Sequence, residues 1–149
     1  MPTNFKKSVL FICKNNSGRS QMAEGLLKHI HGDKYNVYSA GSDPKGVNPL
    51  TIEIMSEIGI DISDHSSDHL KEFEGREFDY VVTLCEDGSC PVFLNGKKYI
   101  HYEFKDPATY FEDNLEKTYV FRIIRDEIKD WIENSLINDI NDDLGDKEC

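Results

Sequence analysis

Ser8-Val-Leu-Phe-Ile12 is an apolar run too short for a buried helix and rich in strand-favouring residues, so it reads as a strand covered on both faces. It stops abruptly at Cys13-Lys-Asn-Asn-Ser-Gly-Arg-Ser20, a loop of small and polar residues. Directly after the loop, Met22, Ala23, Leu26, Leu27 and Ile30 recur at helical spacing, and Gly32 offers a stop. Tyr35 to Ala40 then reads as a second strand, closed by Gly41 and the turn residues Asp43-Pro44. A strand, a helix and a strand in this order give a right-handed parallel unit.

The alternation continues. Asn48 is an N-cap and Pro49 suits the first helical position, with Leu50, Ile54, Met55 and Ile58 on one face and Gly59 at the end. A short helix is expected around Asp68 to Phe73, a buried strand over Phe78 to Leu84, and a weaker strand over Lys98 to Tyr102. From Phe111 to Leu136 a long helical pattern carries Val120, Ile123, Ile124, Ile128, Trp131 and Ile132. The expected fold is a single-domain α/β structure, an open, mostly parallel four-stranded sheet flanked by helices. It occupies residues 1–137, and the acidic stretch 138–149 forms a frayed tail.

Charge and cysteine usage narrow the partners. With 17 basic and 28 acidic residues the formal charge is −11, the wrong sign for gathering nucleic acid phosphates. The longest apolar run, Val9 to Cys13, falls far short of the roughly 20 residues a membrane span needs. No signal-peptide pattern is read at the N-terminus, so the chain is expected in the cytoplasm. Four cysteines (Cys13, Cys85, Cys90 and Cys149) in a reducing compartment point to reactive or metal-binding thiols rather than a disulfide framework.

Two of them follow strands directly, Cys13 after the first and Cys85 after the third, where open α/β sheets bind ligands. In the first loop the backbone amides of Lys14, Asn15, Asn16, Ser17 and Gly18 and the helix N-terminus should converge on a concave oxyanion site. Arg19 adds a planar cationic fork, and Ser20 can hydrogen-bond the cysteine sulfur. These groups favour the anionic form of Cys13, the form that acts as a nucleophile. Cys85 and Cys90 fit two other roles on their spacing alone: inert thiols, or a tetrahedral zinc site with His65 and His69, one helical turn apart. His29, His31 and His101 are read as surface or packing residues, and Cys149 is given no catalytic part.

The loop Cys-x5-Arg-Ser resembles that of the low-molecular-weight protein tyrosine phosphatase superfamily. Arg19-Ser-Gln-Met-Ala-Glu-Gly25 is similar to its thioredoxin-coupled arsenate reductase branch. The likeness continues through Val37-Tyr-Ser-Ala-Gly41, Gly46-Val-Asn-Pro49, Asp61-Ile-Ser63, Val81-Val-Thr-Leu-Cys85, Cys90-Pro91, Asp106-Pro-Ala108 and Arg125-Asp-Glu-Ile128. It implies Asp106 as general acid and Cys85 and Cys90 as a redox relay behind the nucleophile Cys13. It also implies arsenate as substrate, with phosphate or sulfate as mimics, and thioredoxin or a similar dithiol as electron donor. A potassium ion held by Asn16, Glu24, Ser39, Ser66 and Asp68 is a further implication, with no tightly bound cofactor expected. Lys14, Asn15 and Gly18 depart from the loop residues usual in that branch, and Cys85 and Cys90 lie closer together than in several relatives. A low-molecular-weight phosphatase hydrolysing phosphate monoesters is the alternative function. A third is an anion-binding or redox regulatory protein without turnover.

Overall fold

The computed structural model describes residues 6–86, 93, 95–107, 114–138 and 140. Four strands form one sheet: β1 (Lys7–Cys13), β2 (Tyr35–Gly41), β3 (Phe78–Thr83) and β4 (Gly96–His101), in the order β2-β1-β3-β4. Every neighbouring pair is parallel. The expected mostly parallel sheet is therefore wholly parallel over the described strands. β1 lies at its centre, and Val9, Leu10, Phe11 and Ile12 are fully buried.

Alternation along β1 supplies two cores. Val9 and Phe11 join Tyr80 and Val82 on the face covered by α1 (Arg19–His31), α2 (Pro49–Ser56) and α3 (Asn114–Trp131). Leu10, Ile12 and Val81 face the other way and pack on Leu70, Phe73 and Phe93. The side-chain period of two in a strand requires this division.

The helices refine the sequence reading at their ends. α1 begins at Arg19, three residues before its first apolar contact, so the helix N-terminus lies inside the polar loop. In α2 the Asn48 side chain accepts from the Leu50 amide at 2.9 Å, and Pro49 occupies the first turn. Gly59, at φ +82°, turns the chain out of that helix. The short helix expected over Asp68 to Phe73 is a 3₁₀ turn, Leu70–Phe73, because His69 caps it through a 3.0 Å bond from the Lys71 amide. β4 starts and ends earlier than expected, and the portion of the long helix before Asn114 lies outside the described residues.

α3 gives way to a π-helical turn, Ile132–Leu136. The sequence explains it. Ile124, Ile128, Ile132, Leu136 and Ile140 recur every four residues and are all buried. At 3.6 residues per turn such a row drifts about 40° per step around an α-helix. One wider turn takes up the drift and keeps the row against the core, where Ile140 still belongs to the main cluster.

Strand order places the site. The chain leaves β1 toward β2 on one side and returns to β3 on the other, so the loops after β1 and β3 diverge and open a crevice at their carboxyl ends. Register puts Cys13 beside Gly41 and Ile12 beside Thr83. Gly41 is obligatory on steric grounds. A Cβ there would lie 2.5 Å from the Lys14 carbonyl oxygen and 2.7 Å from that of Cys13, both backbone atoms with no freedom to withdraw. Gly41→Ala is expected to lower unfolding stability by about 2 kcal/mol in urea denaturation. An unchanged midpoint would show that the loop and β2 are not in close contact.

Candidate active site

The polar loop curls because its carbonyls are claimed from outside. Lys14 O accepts from the Asp43 amide at 2.9 Å and Asn15 O from the Lys45 amide at 3.0 Å. Asn16 O accepts from Gln21 Nε2 at 3.1 Å, and Ser17 O from the Asn48 amide and the Thr51 hydroxyl, each at 3.1 Å. Among the described residues all peptide bonds are trans, so each carbonyl that points outward sends the following N–H the opposite way. The amides of Asn15, Asn16, Ser17 and Gly18 therefore turn to the concave side, above the N-terminus of α1. That is a nest for a small anion.

Asn16 fixes the curl. It is the one described residue other than glycine with positive φ (48°), and it is fully buried. Asparagine tolerates the left-handed region better than most residues, and here the side chain makes four bonds that hold it. Its Nδ2 donates to Ser20 Oγ at 2.7 Å and Ser39 Oγ at 3.0 Å. Its Oδ1 accepts from the Asp68 amide at 2.8 Å and from Gln21 Nε2 at 3.1 Å.

These bonds set the direction of the next one. Ser20 Oγ already accepts from Asn16, so its own proton is free to point at Cys13 Sγ, 2.9 Å away. The sulfur is a buried free thiol at the foot of the nest. Further back, Gln21 Nε2 donates to Asn16 and to Ser66 O, which leaves its Oε1 to accept from His65 Nδ1 at 2.9 Å. One polarised chain thus runs from His65 through Gln21, Asn16 and Ser20 to the sulfur.

Arg19 and Asp106 meet. The guanidinium is nearly buried, donates from Nη1 to Phe104 O at 3.1 Å, and sets Nη2 3.6 Å from Asp106 Oδ2. A buried guanidinium without such partners would cost several kcal/mol. The segment bearing Asp106 is itself fastened to the end of β3, through Tyr102 N to Thr83 O and Phe104 N to Leu84 O. Pro107 lies close to Gly18, within 3.9 Å of where a Cβ would stand. The acid candidate therefore closes over the same loop as the thiol.

Cys85 is also brought there. Leu84 N donates to Ile12 O at 2.9 Å, and Cys85 Sγ, fully buried, lies 3.9 Å from the same oxygen. Cys13 thus ends β1 and Cys85 follows the adjacent parallel β3, both at one edge. Cys85 is disulfide-bonded and Cys13 is a free thiol; Cys90 and Cys149 lie outside the described residues.

The residues read as cation ligands also converge, in one cluster behind the loop. Ser39 Oγ donates to Glu24 Oε1 at 2.6 Å, and Ser66 Oγ to Asp68 Oδ1 at 2.9 Å, while Asn16 bonds both Ser39 and the Asp68 amide. His65 and His69 do not share a site: one ring is held by Gln21, the other caps the 3₁₀ turn. Among the described residues no three His, Cys, Asp or Glu gather as metal ligands. Sequence reasoning missed Gln21 and Thr51, both fully buried. A glutamine and a threonine facing inward among apolar residues carry little signal until the loop they tether is known.

The comparisons with known proteins agree with this geometry. The family model of the low molecular weight phosphotyrosine protein phosphatases matches residues 8–145. An arsenate reductase of Halalkalibacterium halodurans is 46% identical over 83% of this chain and 90% of its own. Arsenate reductase 1 of Staphylococcus epidermidis is 50% identical over 86% and 94%. Among solved structures, an arsenate reductase in the phosphate binding state superposes with a TM-score of 0.73 at 36% identity, over 89% of this chain and 98% of that one. A thioredoxin-dependent arsenate reductase of Corynebacterium glutamicum gives 0.64 at 34%, over 89% and 63%. A nest, a thiol, an arginine and an aspartate at the carboxyl edge of this sheet, together with a match over most of its length, mean that the chain belongs to the low molecular weight phosphotyrosine protein phosphatase family.

Proposed function

We propose that this chain reduces arsenate to arsenite with a relay of cysteines. The observation that carries the reading is the second sulfur. Cys85 is buried at the end of the strand adjacent to that of Cys13 and already takes part in a disulfide. Hydrolysis of a phosphate ester needs one thiolate and water; moving two electrons to arsenic needs more sulfur. The relatives that carry the name arsenate reductase support the same choice.

The residues divide the work as follows. Arsenate sits in the nest, its oxygens on the loop amides and the Arg19 fork. Cys13 Sγ attacks arsenic, an As–O bond breaks, and Asp106 delivers the proton that lets the oxygen leave as water. Cys85, as thiolate, then attacks Cys13 Sγ. An S–S bond forms, the S–As electron pair stays on arsenic, and arsenite departs two electrons richer. Cys90 attacks Cys85, which frees Cys13 and leaves a Cys85–Cys90 disulfide for a dithiol donor, thioredoxin or a protein like it. The reading places the protein in the cytoplasm, where such donors keep thiols reduced. Among the described residues no helix is long and apolar enough to cross a membrane.

A potassium ion would be held in the oxygen-rich cluster behind the loop, with charge from Asp68 and from Glu24, whose Oε2 also pairs with Lys28 Nζ at 2.6 Å, and with neutral oxygens from Asn16, Ser39 and Ser66. Its contribution would be to brace Asn16, hence the nest. Replacing sodium by potassium at constant ionic strength is expected to raise the thermal midpoint by about 3 °C. Asp68→Asn should abolish the difference, and equal midpoints in the two salts for the unaltered protein would remove the ion.

Arsenate-dependent NADPH oxidation through thioredoxin and its reductase is expected in the unaltered protein and should fall to background in Cys85→Ser. Aryl phosphate hydrolysis that survives the substitution, without any arsenate-dependent oxidation beforehand, would instead establish the phosphatase. Cys90→Ser should stop after one turnover with Cys13 and Cys85 joined. Peptide mass mapping that finds both sulfurs reduced after arsenate treatment contradicts the relay.

A further inference from the structure

The cations around the nest are unequally committed. Arg19 lies 3.6 Å from Asp106, and Lys45 Nζ 3.3 Å from Asp43, so each faces a carboxylate of opposite charge. Lys14, the residue directly after the nucleophile, is exposed and has no acidic partner within ion-pair distance among the described residues. Its carbonyl is tied to the Asp43 amide, which fixes the backbone from which the side chain springs. The chain as a whole carries a formal charge of −11 and repels a doubly charged oxyanion.

From this imbalance we infer that Lys14 is the steering residue of the pocket. Its ammonium, unpaired among the described residues, draws the tetrahedral dianion to the nest against the field of the acidic protein and so sets the concentration at which the pocket fills. The inference rests on the reading of the nest as an oxyanion site and adds how the anion reaches it.

Distance permits the role. Consecutive Cα atoms are about 3.8 Å apart, and with the reach of a lysine and a cysteine side chain the ammonium stays within about 13 Å of the sulfur. That is comparable with the screening length of roughly 8 to 10 Å at ordinary ionic strength. A charge acting over this range should matter strongly in dilute salt and weakly in concentrated salt. Among the described residues, Asp43, Asp68 and Asp106 are acidic residues tied to the loop, the first two through their backbone amides and the third through Arg19. Asp43 and Asp106 are offset by Lys45 and Arg19, and Asp68 accepts a hydrogen bond from Ser66.

The test is protection of Cys13 from iodoacetamide by inorganic phosphate, read by mass mapping of the Cys13 peptide in fully reduced protein. In low salt, Lys14→Gln is expected to need about five-fold more phosphate than the unaltered protein for half-protection. The gap should close to less than about two-fold in 0.5 M salt, and Lys14→Arg should behave as the unaltered protein. Equal protection of Lys14→Gln and unaltered protein in low salt would overturn the inference. So would a gap that persists in high salt, or failure of Lys14→Arg, since either points to shape rather than charge. Phosphate that protects none of the three would remove the oxyanion nest itself. The readout needs no turnover, so a failure of the reduction chemistry shows separately.

Discussion

Asn16 holds the active-site loop in a shape the backbone would otherwise abandon. A left-handed non-glycine residue costs roughly 1–2 kcal/mol, and a buried amide left unpaired costs about 1–3 kcal/mol more. Four hydrogen bonds offset both, and they reach three separate parts of the chain: Ser20 and Gln21 on α1, Ser39 on β2, and the Asp68 amide before the 3₁₀ turn. The loop is therefore shaped by the whole carboxyl edge of the sheet rather than by its own sequence. The direction of those bonds also matters, since an amide that must donate to Ser20 leaves the serine proton for the sulfur.

The parallel sheet supplies the second condition, nearness of two thiols far apart in sequence. Strand order places β1 between β2 and β3, and the shared register of β1 and β3 brings the residues that follow them to one level. The segment with Asp106 is hydrogen-bonded to the last residues of β3, so acid, nucleophile and second thiol all hang from two adjacent strand ends. Arg19 couples them through Phe104 O and Asp106, and a single cation thereby joins the anion loop to the acid loop.

Much of this was legible in the sequence, for local reasons. The apolar run of β1, the Asn48-Pro49 start of α2 and the period of α3 depend on neighbours within a few residues, and each element appears where its pattern stands. The loop chemistry was readable because Cys13, Gly18 and Arg19 lie within seven positions of one another. What escaped depends on distant partners. Gln21 shows its part only once Asn16, Ser66 and His65 stand around it, and His65 entered one of two alternative roles, a zinc site, because His69 lies one helical turn away in sequence. The π-helical turn arises from a four-residue apolar row meeting a core that does not turn with it. Pairing of Arg19 with Asp106 spans most of the chain, and only the fold could bring the two together.

In this mechanism electrons reach arsenic from the protein's own sulfur. A single turnover without any external reductant tests it most directly, with arsenite and free thiols counted together on fully reduced protein carrying its four cysteines. One arsenite per chain and the loss of two of the four thiols are expected. Four thiols and no arsenite after prolonged exposure to arsenate would contradict it, whatever else the pocket binds.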